Sequence, residues 1–175
     1  MIFQKEISLT PLPRGFHLIT DLVSEVIQSS GIQTGTAQVF LLHASASLSI
    51  NENTDPSIRL DFESHINKLV PENQTYYQHN YEGSDDMPAH IKASLLSTSI
   101  HFPISFGRPR LGRWQGVYLG EHRNNGGVRK LVITVNGAWS CTMTRLIAIV
   151  IHSHHFALLR YVLLVGYVFS FDSLL

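Results

Sequence analysis

The chain has 175 residues, with 13 Lys+Arg balancing 13 Asp+Glu and charged residues at only 15% of the total. That balance argues against an electrostatic nucleic-acid binder, and the length suits one domain with a core of its own. A single cysteine, Cys141, excludes an internal disulfide and any cysteine zinc cluster.

"MIFQKEISLT" has no apolar core of signal-peptide length, so a cytoplasmic location is expected; its "IFQKEISLT" reads as a strand. After "PLPRGF", residues Leu18, Ile19, Leu22, Val23, Val26 and Ile27 repeat once per helical turn until Gly31 stops them. "TAQVFLL" (36–42) reads as a buried strand. "HASASLSINENTDP" is too polar for core and leads into a second helix, with Asp55 as N-cap and Pro56 in the first position. Ile58, Phe62, Ile66 and Leu69 form its apolar stripe. A third helix starts near "SDDMP", where Ser84, Asp85 or Asp86 can cap it, and continues through "AHIKASLL". "TSIHFPIS", "RWQGVYLGE" and "VRKLVITVN" alternate like strands, joined by the turn-rich "FGRPRLG" and "HRNNGG". The order implies an α+β fold: a compact single domain with a largely antiparallel sheet and about three helices.

Ten histidines stand out against so few charges. His43 ends a strand and precedes small residues, a rigid base from which imidazole can reach a metal or substrate. Its alternative is a histidine that marks the strand's exit into solvent. Asn51, Glu52, Asn53 and Asp55 read as an Asx-rich cap of the second helix. In "HNYEGSDDMPAHIKASL", His90 is expected in the first turn of the third helix, where neutral imidazole can ligate a metal or meet a phosphate. Asp85 and Asp86 can supply an oxygen ligand, a general base or a hydrogen bond to a ligating histidine. Caps and surface groups are the equally weighted alternative. Lys92 can neutralise a phosphate or be solvated. Trp114 in "LGRWQG" is expected in the core, with a ring offered to a ligand as the alternative. No phosphate loop, GxSxG elbow, HExxH or paired CxxC is present.

"HASASLSINEN.DP", "H..EGSDDMPAHIKASL", "LG.WQGVYL.EHR" and "R.LVITVNG" together resemble the YjbQ family, often labelled secondary thiamine-phosphate synthase. The resemblance runs from the first strand to Gly137. It implies a homotrimer with a histidine-rich, metal-capable cleft and a divalent ion, zinc or magnesium. It makes His43, His79 and His90 the metal ligands. His90, Asp86 and Glu52 become the catalytic residues, and Asn51, Lys92, Gln115 and Glu121 the substrate-binding ones. It also implies a metal-dependent enzyme acting on a small phosphorylated metabolite. Joining a pyrimidine diphosphate to a thiazole phosphate would be a secondary activity; the alternative is a metal- or ligand-binding trimer without turnover. A TIM barrel, the fold of the dedicated synthase, takes about 250 residues, so such chemistry would need an unrelated site here. Arg113 stands where many members carry a small hydroxyl residue.

Residues 138–175 depart from this pattern and are expected to be an apolar extension foreign to the 1–137 domain. Arg145, Arg160 and Asp172 cut its uncharged runs below the roughly 18–20 residues that span a bilayer, so a membrane anchor is not favoured. Its "HSHH" (152–155) has no acid or cysteine beside it.

Overall fold

A computed structural model of the chain describes residues 1–139, and Met1–Trp139 form one compact unit. The expected extension lies outside the described residues, apart from Ala138, which still pairs with Thr34, and Trp139. Among the described residues, no helix is long and apolar enough to cross a membrane.

The elements in chain order are β1 (Ile2–Leu9), β2 (Gly15–Leu18), α1 (Thr20–Ser29), β3 (Thr34–Leu41), β4 (Ala46–Glu52) and α2 (Pro56–Leu69). They continue with α3 (Asp86–Leu96), β5 (Ser99–Ser105), β6 (Arg108–Pro109), β7 (Gln115–Glu121) and β8 (Arg129–Ala138). The fold is α+β, with three helices and every strand pairing antiparallel. The strands form two sheets, a five-stranded one ordered β1-β8-β3-β5-β6 and a three-stranded one ordered β2-β7-β4.

The five-stranded sheet buries one face. Leu131, Ile133 and Val135 of β8 and Ala37, Val39 and Leu41 of β3 point inward, while their neighbours alternate outward. "TAQVFLL" is therefore half-buried rather than fully buried. Val117, Leu119 and Leu48 of the smaller sheet meet this inward face, and Val23, Val26 and Ile27 of α1 complete the main core. On the smaller sheet's other face, Phe16 and Tyr118 pack with Ile66 and Phe62 of α2 and Leu96 of α3. β7 is thus covered on both sides, and every residue from Gly116 to Glu121 is buried.

The second helix starts as expected: Asp55 Oδ1 accepts from the Ser57 N–H at 2.8 Å, and Pro56 occupies the first turn. Its apolar stripe is narrower than the periodicity suggests, since Leu69 is 61% exposed and only Ile66 is buried. Three strands lie where the sequence reading placed none, β6 within the turn-rich "FGRPRLG" and two others. β4 lies within "HASASLSINEN", where Ser47 is buried beside Ala46 and Leu48 because small hydroxyls fit under α3. β2 lies within "PLPRGFHL" and pairs with β7. The β5–β6 hairpin turns on Phe106 and Gly107, both at positive φ (55° and 70°), as a two-residue turn of the mirror type requires.

Between the small sheet and the helices lies a polar layer. Lys92 of α3 is 1% exposed, and its Nζ donates to Asn67 Oδ1 at 2.6 Å. Burial, then repulsion from Arg14, pulls its pKa down to about 8. His122 is buried with Nε2 2.9 Å from Ser47 Oγ, and burial, followed by Lys92 and Arg14, lowers its pKa to about 3. Gly120 permits this contact, because a Cβ there would come within 2.5 Å of Ser47 Oγ and 2.9 Å of His122 Cε1.

Both groups bind fewer protons folded than unfolded, so each makes stability rise with pH. For His122 the window is about 3 to 6.5, and stability falls as pH drops through it. For Lys92 the window is about 8 to 10.5, and stability grows as pH rises through it. Urea midpoints measured across pH should carry both slopes. His122→Gln should flatten the acidic one. Lys92→Met should flatten the alkaline one without lowering the midpoint at pH 7, since a buried charge gives way to an apolar chain of similar length. In the same assay Ile133→Ala should cost about 2–5 kcal/mol, whereas Leu69→Ala should stay within about 0.5 kcal/mol.

Candidate metal centre

α3 begins at Asp86, so His90 sits one turn in rather than in the first turn as expected. The i,i+4 spacing puts both side chains on one face. His79, from the segment between α2 and α3, completes a group whose ligand atoms all lie within 4.8 Å of one another. His79 Nε2 is 3.0 Å from Asp86 Oδ2, and His90 Nε2 is 3.4 Å from Asp86 Oδ1. The imidazole rings meet edge-on at 5.2 Å between centroids, with 62° between their planes.

Two details define the chemistry of the group. His90 Nδ1 lies 3.0 Å from the Ala44 carbonyl, which can only accept, so Nδ1 carries the proton and a neutral ring has a bare Nε2. That lone pair faces a carboxylate. Asp86 is 1% exposed, and its Oδ2 has no hydrogen-bond partner among the described residues, the His79 contact lacking the alignment for one. A buried carboxylate oxygen without a donor is costly unless a cation or proton supplies the missing partner.

Neither aspartate caps α3 through its side chain, contrary to one reading of the sequence. Asp85 Oδ2 accepts from the Asn124 N–H at 2.7 Å and from Arg123 Nε at 3.2 Å instead. These contacts help hold its pKa below the usual carboxylate value although burial, the largest single influence, opposes them.

His43 stands outside the group. Its Nε2 accepts from the Lys130 N–H at 2.9 Å, and its Nδ1 faces the Arg129 guanidinium at 3.4 Å. Partial burial, then Arg129, lowers its pKa. With one nitrogen occupied and the other against a cation, His43 is not arranged as a ligand in this chain.

Glu52, Asn51 and Gln115 gather at the far end of the small sheet. β4 and β7 run antiparallel with Glu52 opposite Gln115 and Ala46 opposite Glu121, and six residue steps along β4 cover about 20 Å. Asn51 Oδ1 accepts from the Glu52 N–H, and Gln115 Oε1 accepts from the Gly112 N–H, both at 2.8 Å. Trp114 is 52% exposed rather than core, with the Arg113 guanidinium 4.8 Å from its ring centroid. Lys92 is committed to Asn67 and does not face solvent. Glu121 is buried, with its oxygens held by Arg129 at 2.7 Å each and Oε1 also accepting from the Arg123 N–H at 2.9 Å. Gly126 lies so close to that carboxylate that any Cβ would collide with it. Of the expected site residues, the fold therefore brings together His79, Asp86 and His90.

Arg123 is the site residue that the sequence reading missed. It contacts Asp86 Oδ1 and Asp85, and its signals were its place at the end of "LG.WQGVYL.EHR" and a cation beside the turn "NNGG". A groove of about 680 Å³ lies elsewhere, lined by residues such as Ile7, Leu9, Phe16 and Leu22. It contains none of the three clustered groups. A smaller hollow of about 390 Å³ is lined by Ala44, whose carbonyl orients His90, and by residues at the end of α3.

The family model described as "UPF0047 protein YjbQ-like" matches residues 5–138. The chain is 50% identical over 138 residues to the UPF0047 protein YjbQ of Salmonella typhimurium, covering 78% of this chain and 99% of that protein. It is 45% identical, with the same coverage, to the UPF0047 protein YjbQ of Escherichia coli O157:H7. Among solved structures, an uncharacterised YjbQ/UPF0047 family protein of Clostridium acetobutylicum aligns with a TM-score of 0.69 at 36% identity, covering 75% of this chain and 99% of the other. A YbjQ-like protein of unknown function from Sulfolobus solfataricus shares the fold with a TM-score of 0.72 at 23% identity, covering 79% of this chain and 99% of the other. The family model spans residues 5–138 of the described unit, and the chain belongs to the YjbQ-like UPF0047 family.

Proposed function

We propose that the chain binds a divalent cation through His79, Asp86 and His90 and uses it on a small phosphorylated metabolite. The observation that carries this reading is His90 Nε2, the ring nitrogen not engaged by Ala44, 3.4 Å from a carboxylate whose second oxygen is buried without a donor. Two imidazoles and one carboxylate suit zinc better than magnesium, which prefers oxygen ligands and retains its water. Three protein ligands leave positions open, the arrangement of a catalytic rather than a structural site. Bound there, the cation would supply Lewis acidity toward a phosphoryl oxygen or acidify a water molecule.

The chain's own residues then have separable tasks. Ala44 fixes the His90 tautomer, and Asp86 supplies the anionic ligand from the interior. His79 and His90 reach solvent at the mouth, where a substrate can approach. The secondary reaction joining a pyrimidine diphosphate to a thiazole phosphate belongs to this proposal, as does homotrimeric assembly, both from the family resemblance.

Metal analysis of the purified chain should find about one equivalent of zinc per site. His90→Ala should weaken zinc in a competition titration against a chromophoric chelator by more than the roughly 10–100-fold that an outer residue costs. Phosphate or diphosphate release from a substrate panel should depend on zinc and vanish in that variant. A wild-type chain that takes up no divalent cation would overturn the reading. Tight zinc without turnover would favour a binding module.

A further inference from the structure

Arg123 lies just beyond β7, and its guanidinium reaches across to the start of α3. Nε donates to Asp85 Oδ2 at 3.2 Å, Nη2 to the Glu82 carbonyl at 2.9 Å, and Nη1 to Glu82 Oε2 at 3.3 Å and to Asp86 Oδ1. Its backbone N–H donates to Glu121 Oε1 at 2.9 Å, and Glu121 is itself gripped by Arg129. The residue is fixed at both ends, its charge shared with Asp85 and Glu82 as well as Asp86.

This geometry constrains Asp86. With Oδ1 engaged by a guanidinium, a cation meets the carboxylate through Oδ2, the oxygen that has no hydrogen-bond donor. We infer that Arg123 is a positioning residue that holds Asp86 as a one-oxygen ligand, with Oδ2 turned to the cation that His79 and His90 share. This rests on the metal reading above. A guanidinium suits the task because its planar fork grips several acceptors at once, whereas a lysine ammonium would act as a point charge. Asp85 and Glu82 offset its charge, so it can orient a ligand with little repulsion toward the cation.

Cobalt(II) separates this from a purely structural role, since its visible absorption reports coordination number. Wild type should give the intense band of four-coordinate cobalt. Arg123→Lys and Arg123→Met should weaken that band, as a freed carboxylate turns toward two-oxygen binding, and should lower cobalt affinity by roughly 10–100-fold. Glu6→Gln, which removes an exposed carboxylate paired with Lys130 at 3.1 Å and touches none of these groups, should leave band and affinity unchanged. Asp85→Asn, which loosens one side of the guanidinium without removing it, should produce the same change at smaller amplitude. It carries the test should the Arg123 variants not fold. Variants at Arg123 or Asp85 with wild-type spectra and affinities would overturn this inference while His90→Ala still abolished binding. Cobalt binding that is absent in wild type, or insensitive to His90→Ala, would overturn the metal reading with it.

Discussion

A strand covered on both faces can carry polar side chains only where the coverage ends or where a partner waits inside. β7 is that strand, packed against the large sheet on one side and against α2 and α3 on the other. Its middle is Val117, Tyr118 and Leu119 between two glycines. Its polar residues sit at its extremes, with Gln115 at one end and Glu121 followed by His122 and Arg123 at the other. The second end faces the start of α3, so the same packing that makes β7 central delivers a buried carboxylate and a guanidinium to the site.

A buried carboxylate must be matched, and the chain matches two in series. Glu121 is held by the two-point grip of Arg129 from β8. Arg129 occupies an inward position on the same face as Leu131, Ile133 and Val135, so its charge is tolerable only because Glu121 is there. Asp86 is matched by Arg123, whose backbone Glu121 also holds. Removing one charge from this chain of contacts would strand the next one inside. In a molecule with few charges, placing four of them in adjacent pairs around two buried carboxylates ties the site to the core rather than to a loop.

Much of the organisation was legible in the sequence. The Asp55–Pro56 start of α2 was readable because a cap and a first-turn proline are local signals. The Asp86–His90 pair was readable because helical spacing fixes which residues share a face. His43 was misleading for a non-local reason, since the backbone N–H that takes its Nε2 belongs to a residue 87 positions away. Glu52 and Gln115 were grouped with the site by their place in shared motifs, but strand register sets them at the opposite end of the sheet. Lys92 was read as a cation for a phosphate or for solvent, because periodicity gives a helix an apolar face and not the polar layer that this one covers. Arg129 could have been found from the sequence, since strict alternation along "RKLVITV" places it inward. So could the strand in "HASASLSINEN", whose Ala46, Leu48 and Ile50 alternate with polar neighbours.

The three clustered groups differ in how firmly they are held, and this bears on how a cation would be gained and lost. Asp86 is anchored through Arg123 to the strands, and His90 is locked by its helix and by the Ala44 carbonyl. His79 comes from the segment between α2 and α3, which is tied down at a distance by the Arg14–Glu72 ion pair and the Ser84–Glu72 hydrogen bond. Its side chain is also the most exposed of the three. Asp86 and His90 are thus preorganised, whereas His79 must surrender conformational freedom to join them. A cation would therefore meet two fixed ligands first and be closed over by the third, and release would begin with His79.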